Sequence, residues 1–355
     1  VGMAAALCVK NGISPCEVLN EKMPHLQQHL NLTGQSIPSV PTNLAGTLLA
    51  EANIDASSQL QLSKIPFDGK WMSLDTSVAQ LLPLKKGQKY SFEVQVKAKS
   101  KTTISCELRS SVEKHNYTPE ITHERVDIEL FEGEQNIEVH FGQGTLDDQY
   151  GFVTFLSNDD VEIRCSDKLI TGIVTVFNKV NKAVSNYGRQ IVEKDIGIDD
   201  FEFWTPARRP NGHNIAMNIT PALECFEVEN LSNGFTRPTN TANAWVASFD
   251  DPNPAVTLSW DEPKKLKNIT LFFDTDYDYA LETVHWPHSE SVIPFCVRNF
   301  RIKSLDGQIL HECKGNYQTI NSVEFEQQKT LDGIIIELDH PSDDAPTALC
   351  QIIIN

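Results

Sequence analysis

Hydrophobic and polar residues alternate with a period of two through residues 90–141. Phe92, Val94, Val96 and Ala98 alternate with polar partners in YSFEVQVKA, and Ile104, Cys106 and Leu108 do so in TISCEL. Val126, Ile128 and Leu130 follow in RVDIEL, then Ile137, Val139 and Phe141 in NIEVHF. A period of two places one face of a strand in a core and the other in solvent. Phe131-Glu132-Gly133-Glu134, between the last two runs, predicts a hairpin connection. Strands at this spacing, with no helical pattern between them, predict an antiparallel sandwich or jelly roll over residues 43–180.

A second alternating region fills residues 201–355. VTLSW places Val256, Leu258 and Trp260 on one face, so Trp260 is predicted to be core. KKLKNITLFFD supplies the next strand. FCVRNFRIKSLDGQIL carries Asp306-Gly307 as a hairpin turn, and VEFEQQKT, DGIIIEL and CQIII complete the series. Between the two regions, NKAVSNYGRQIVEKDIGIDD is polar and lacks strand alternation. It predicts a linker over residues 181–200, at which the two domains should separate.

The pattern in residues 1–42 is helical instead. Met3 to Lys10 is Ala-rich, and Gly12 suits the left-handed position that closes a helix. Ser14-Pro15-Cys16-Glu17 is a capping box with proline at the first helical position. Leu19, Met23, Leu26 and Leu30 then form one apolar face, which Pro24 breaks or kinks. Gly34, Pro38 and Pro41 end the helical region. The predicted fold class is therefore mostly β: two antiparallel β-sandwich domains preceded by a short helical segment.

Composition narrows the partners. The chain has 355 residues and a formal net charge of -18, which repels phosphate backbones, so nucleic acid and anionic membrane are poor partners. No apolar run reaches the length of a membrane span. The eight cysteines form no C-x-x-C pair and sit near no histidine pair at zinc-ligand spacing, so they read as scattered small apolar residues.

The opening VGMAAALCVKNGISPCEV, followed by LQQHLNLTGQSIP, resembles the end of the flavin domain in a family of bacterial FAD-dependent oxidoreductases. The resemblance implies a helix whose N-terminus points at the flavin, with small residues permitting close backbone approach. It places Gly2 and Ala4 beside FAD in an intact parent. The glycine fingerprint of a dinucleotide-binding domain is absent: GQGTLD at Gly142 lacks the third glycine and precedes no helical pattern. The chain is thus expected to begin within an oxidoreductase, after its catalytic part, and to bind no FAD by itself. GQKYSFEVQVKAKSKTTISCELRSS, NYTPE and CSDKLITGIVTVFNK resemble the region that follows the flavin domain in the same family.

SNGFTRPTNTANAWVASFDDPNPAVTLSWDEPKKLKNITLFFD and the strands after it are similar to galactose-binding-like, discoidin-type modules. The resemblance covers residues 201–355 and implies an eight-stranded jelly roll with ligand-binding loops at one end. Sugars stack their C–H faces on aromatic rings while their hydroxyls meet polar side chains. Arg237, Asn240, Trp245, Asp276 and Trp286 are the candidate contacts, although Trp245 reads more as a core anchor than as a platform, because it leads directly into the alternating strand. The resemblance also implies a structural calcium held near Asn230, Asn233 and Gly234. DTDYD (Asp274, Asp276, Asp278) imitates an EF-hand start, but Tyr279 stands where glycine is needed and His285 where glutamate is needed. His285 and His288 flank Pro287, which forbids a regular helix, and no third ligand accompanies them. Neither G-x-S-x-G nor a P-loop occurs.

The leading expectation is a non-catalytic C-terminal region that supports or covers the flavin domain of a longer polypeptide, in a periplasmic or secreted setting. The alternatives are a pair of carbohydrate-binding modules, or a β-sandwich glycan-active enzyme with two converging carboxylates.

Overall fold

The alternating runs form strands, and three antiparallel sheets collect them. A computed structural model describes residues 47–112, 119–142, 149–178, 204–206, 214–238, 241–274 and 295–355. The chain divides into Val1–Val40 and Pro41–Asn355, and every described residue lies in the second unit. In chain order the strands of the first half are β1 (Asn53–Ala56), β2 (Leu62–Ile65), β3 (Trp71–Leu74), β4 (Val78–Leu84), β5 (Ser91–Ala98), β6 (Thr102–Ser110), β7 (Ile121–Leu130), β8 (Gly133–His140), β9 (Gln149–Phe155), β10 (Asn158–Ser166) and β11 (Val174–Asn178). They continue as β12 (Trp204–Pro206), β13 (Asn214–Ile215), β14 (Met217–Leu223), β15 (Trp245–Val246), β16 (Ala255–Phe273), β17 (Phe300–Ser304), β18 (Ile309–Cys313), β19 (Ile320–Leu338) and β20 (Ala348–Ile354).

Two sheets build the first sandwich. One runs β13-β10-β5-β14-β2, with β3 also on β10 and β8 on β5. The other runs β12-β11-β4-β9-β6-β7. Phe92, Val94 and Val96 from the first sheet meet Ile104, Cys106, Val153 and Phe155 from the second in one buried cluster. Burying each large apolar side chain contributes about 1.5–3 kcal/mol. Gln80 is buried with them, but its amide is satisfied. Its Nδ-bearing neighbour Asn214 accepts from Gln80 Nε2 at 3.1 Å, and Gln80 Oε1 accepts from Ile215 N–H at 2.7 Å. Those bonds tie β4 to β13 across the two sheets.

The hairpin expected at Phe131–Glu134 is corrected. β7 pairs with β6 in one sheet, and β8 pairs with β5 in the other. The turn carries the chain across the sandwich instead of folding it back in plane. The local alternation is the same in either arrangement, so only the pairing distinguishes them.

The third sheet runs β15-β20-β16-β19-β17-β18, with β1 also on β16. VTLSW and KKLKNITLFFD, expected as separate strands, are one strand, β16. Its pairing with β19 shifts register between Ser259 and Lys264 and again between Leu266 and Asn268. Such irregularities bend a strand. Val256, Leu258, Trp260, Ile269 and Leu271 enter one cluster with Phe300, Ile302, Ile334, Ile336 and Ile352. Trp260 is core, as predicted, and its Nε1–H donates to Leu48 O at 2.9 Å.

The strands cross the predicted boundary. β1 lies within residues 43–180 but pairs with β16, register Asn53 to Ser259. β14 lies beyond residue 201 but pairs with β5 and β2, and β13 pairs with β10. The segment leaving β1 is clasped as well. Asp251 accepts from Ser57 Oγ at 2.5 Å and from Ser58 Oγ at 2.6 Å.

That clasp has a pH signature. Burial pushes the Asp251 carboxyl up, but hydrogen bonds from Ser57, Ser58 and the Asn253 N–H outweigh it and hold the group below the usual carboxylate range. A depressed folded-state pKa stabilises fully above the unfolded value, about 3.9, and is lost as pH falls through the lower folded value. Asp251→Ala should therefore cost about 2 kcal/mol at pH 7. The deficit should shrink in urea titrations run below about pH 4. A deficit unchanged by acidification would remove the carboxylate from the account.

Candidate functional site

Several chain segments meet at one end of the third sheet, and backbone hydrogen bonds stitch them. Leu338 N–H donates to Pro254 O, Asp339 N–H to Asn299 O, Asn316 N–H to Arg298 O, and Phe273 N–H to Thr319 O. The end of β16, the start of β17, the β18–β19 connection and the end of β19 are thereby held together. Strand ends fixed in this way make a rigid base for loops that recognise ligands.

The β18–β19 connection, residues 314–319, presents Tyr317 to solvent with 63% of its surface exposed. The residue before it is its opposite: Asn316 is 5% exposed. Asn316 Nδ2–H donates to Val297 O at 3.0 Å, and its Oδ1 accepts from Gln318 N–H at 3.0 Å. Asn321 Nδ2–H donates to the same Oδ1 at 3.3 Å. Gly315, at φ 70°, donates its N–H to Asn299 Oδ1 at 3.2 Å. The loop turns because Gly315 takes the left-handed conformation at no steric cost. It stays turned because a buried amide satisfies its backbone. Cys296 Sγ, also buried, lies 3.6 Å from Asn316 Nδ2. Burial pushes the Cys296 thiol up to about 11, so it is protonated and inert at neutral pH.

Beside this loop a groove of about 100 Å³ is lined by Asn299, Phe300, Arg301, Glu312, Cys313, Lys314, Glu337 and Asp339. Its polar groups are held in place by one another. Arg301 donates from Nε to Glu312 at 3.2 Å and from Nη1 to Glu337 at 3.4 Å. Asn299 Nδ2–H donates to Asp339 Oδ2 at 3.0 Å. Lys314, and after it Arg301, holds the Glu312 carboxyl below its ordinary range. Exposed pairs of this kind add little stability, about 0–1 kcal/mol each. Their geometric effect is to fix donors and acceptors along the groove.

The residues expected from sequence fall differently. Trp245 is fully buried, and its Nε1–H donates to Ser58 O at 2.8 Å. An indole with no exposed face cannot receive a sugar, so Trp245 is removed from the contact set and stands as a core anchor. Arg237 is half-buried, and its carbonyl accepts from Asn243 Nδ2–H at 3.3 Å. Asn240, Asp276 and Trp286 lie outside the described residues, as do Gly2, Ala4, His285 and His288.

Asn230, Asn233 and Gly234 do come together. Asn230 Nδ2–H donates to Cys225 O and Ala244 O, both at 3.0 Å. Its Oδ1 accepts from Asn233 Nδ2–H at 3.2 Å, and Asn233 Oδ1 accepts from Phe235 N–H at 2.8 Å. Gly234 sits at φ 88° and Asn243 at φ 47°. Asn230 Oδ1 and Asn233 Oδ1 each accept a donor inside the loop. Among the described residues no group of three His, Cys, Asp or Glu side chains is placed to hold a metal.

The first sandwich holds a second tight polar cluster besides the one around Gln80. Glu107 accepts from Arg109 Nε–H at 2.6 Å and from Thr122 Oγ1 at 3.2 Å, with the Arg109 guanidinium 5.6 Å from the Trp204 ring centre. Nearby, Ser110 Oγ lies 2.7 Å from His123 Nε2. Burial lowers the His123 pKa, and Ser110 is closed to solvent.

No protein-family model matches the chain, and no curated protein matches it. Solved structures do resemble part of it. The family 32 carbohydrate-binding module from Streptococcus pneumoniae EndoD is similar at 10% identity and TM-score 0.29, over 38% of this chain and 87% of that one. The family 32 module from C. perfringens NanJ, in complex with galactose, is similar at 10% identity and TM-score 0.27, over 38% and 88%. GH31 CBM32-2 bound to GalNAc is similar at 20% identity and TM-score 0.27, over 37% and 88%. Among the described residues no helix is long and apolar enough to cross a membrane.

Proposed function

We propose that the C-terminal β-sandwich is a carbohydrate-binding module and that a sugar is taken at the loop end built around Tyr317. The observation that carries this reading is a largely exposed tyrosine ring on a loop fixed from beneath by a buried asparagine. A free aromatic face offers the C–H surface of a sugar ring a stacking partner. The adjoining groove supplies the polar half of the contact. Asn299, Arg301 and Asp339 offer donors and acceptors at fixed positions for hydroxyls. The groove is smaller than the 300–1,000 Å³ pockets that enclose drug-sized ligands. It suits surface contact with one end or edge of a glycan, not engulfment.

This reading takes up the carbohydrate-binding alternative, because the exposed Tyr317 ring on its braced loop and the groove beside it give that alternative a place of contact. The experiment is a binding screen of the purified chain against galactose, N-acetylgalactosamine, Lewis b and chitosan oligomers. Tyr317→Ala should weaken the strongest response about tenfold, roughly 1.4 kcal/mol, and leave the melting temperature unchanged. Retained binding in a folded Tyr317→Ala variant would move the site elsewhere.

A further inference from the structure

Asn316 does not face the groove; it faces inward, and that orientation has a function of its own. Its side chain is joined to Val297 O, Gln318 N–H, Gln318 O and Asn321, and its own N–H is joined to Arg298 O. Asn316 itself precedes Tyr317, and its partners lie after the tyrosine, at Gln318 and Asn321, and on the separate 296–299 segment. Asn316 also lies beside Cys296 Sγ, in a spot that excludes water. A buried amide with this many partners leaves the backbone on either side of Tyr317 one conformation to occupy.

We infer that Asn316 is the positioning residue of the Tyr317 platform: it touches no ligand and acts on binding only through the tyrosine. The inference rests on the platform reading above. An aromatic ring on a mobile loop must be ordered when ligand arrives, and that ordering opposes binding. Asn316 has already ordered it in the free protein. The contribution is preorganisation, so it should vanish once the ring is gone.

A double-mutant cycle tests this, with galactose, N-acetylgalactosamine and chitosan oligomers as probes and amide hydrogen exchange of residues 314–319 as a ligand-free readout. Tyr317→Ala and Asn316→Ala should each weaken the strongest response tenfold or more, while the double variant should bind no more weakly than Tyr317→Ala alone. Exchange across 314–319 should accelerate tenfold or more in Asn316→Ala and stay at the parent rate in Tyr317→Ala. Losses that multiply in the double variant, or Asn316→Ala binding like the parent, would overturn the inference. If Asn316→Ala does not fold, Asn321→Ala removes a single bond to Asn316 Oδ1 and should change exchange and binding in the same direction by a smaller factor. Unchanged values there overturn it equally. If the parent binds none of the probes, the platform reading fails, and the exchange rates alone still decide whether Asn316 fixes the loop.

Discussion

Trp245→Ala should destabilise the protein by about 3–5 kcal/mol, the range for deleting a fully buried large aromatic. The side chain has no exposed surface and packs with Leu49, Leu231, Val256 and Leu349. Its removal opens a cavity among side chains held by strands on several sides, which cannot collapse freely. The loss also strands the Ser58 carbonyl, which accepts the indole N–H at 2.8 Å. Trp245→Phe keeps much of the apolar contact but not that bond, so it should cost less, with about 1–3 kcal/mol from the unpaired carbonyl. Urea unfolding followed by far-ultraviolet circular dichroism reads both. The contrast with Tyr317→Ala is the decisive comparison. Loss at Trp245 should appear as instability, whereas loss at Tyr317 should appear as binding. A Trp245→Ala protein that melts like the parent would contradict its burial.

Separating the chain at residue 200 should unfold both halves. Residues 41–200 on their own would lack β14, whose Met217, Ile219 and Leu223 are buried in the first sandwich beside Phe92 and Val94. They would also lack Ile215, which bonds to buried Gln80, leaving that amide without a main partner. Residues 201–355 on their own would lack β1 and the segments on either side of it. Both core indoles of that half would then lose their acceptors, Leu48 O and Ser58 O. Each defect removes contacts worth several kcal/mol from a total stability of about 5–15 kcal/mol. The expected result is two fragments without cooperative thermal transitions, and a restored transition when the two are refolded together. Cooperative unfolding of either fragment alone would show that the exchanged strands are dispensable to it.

Most of the strand content was legible because period-two alternation is a local property. Phe92, Val94, Val96 and Ala98 announce a strand and a buried face without reference to any partner, and all four are buried. The same holds for Ile104, Cys106 and Leu108, and for Val256, Leu258 and Trp260. The turn at Asp306-Gly307 was equally local, since Gly307 adopts φ 88°.

What alternation cannot carry is the identity of the neighbouring strand. The turn at Phe131 and the exchange of β1 and β14 depend on which edge lies nearest after collapse, a choice made between residues far apart in sequence. The candidate site was hidden for the same reason. Tyr317 follows Gly-Asn in a short polar connection, and nothing in those letters separates an exposed ring from a buried one. Asn316 reads as an ordinary turn residue, yet it bonds to Val297, 19 positions away. Trp245 was marked as aromatic and near polar neighbours, but whether it faced a sugar or the core rested on Ser58, 187 positions distant. The sequence by itself determined the strands, their buried faces and the all-β class, because those follow from the side-chain period of the backbone. Only the tertiary structure decided which strands pair, which tryptophan is enclosed and which tyrosine is presented, because burial is a property of contacts between distant segments.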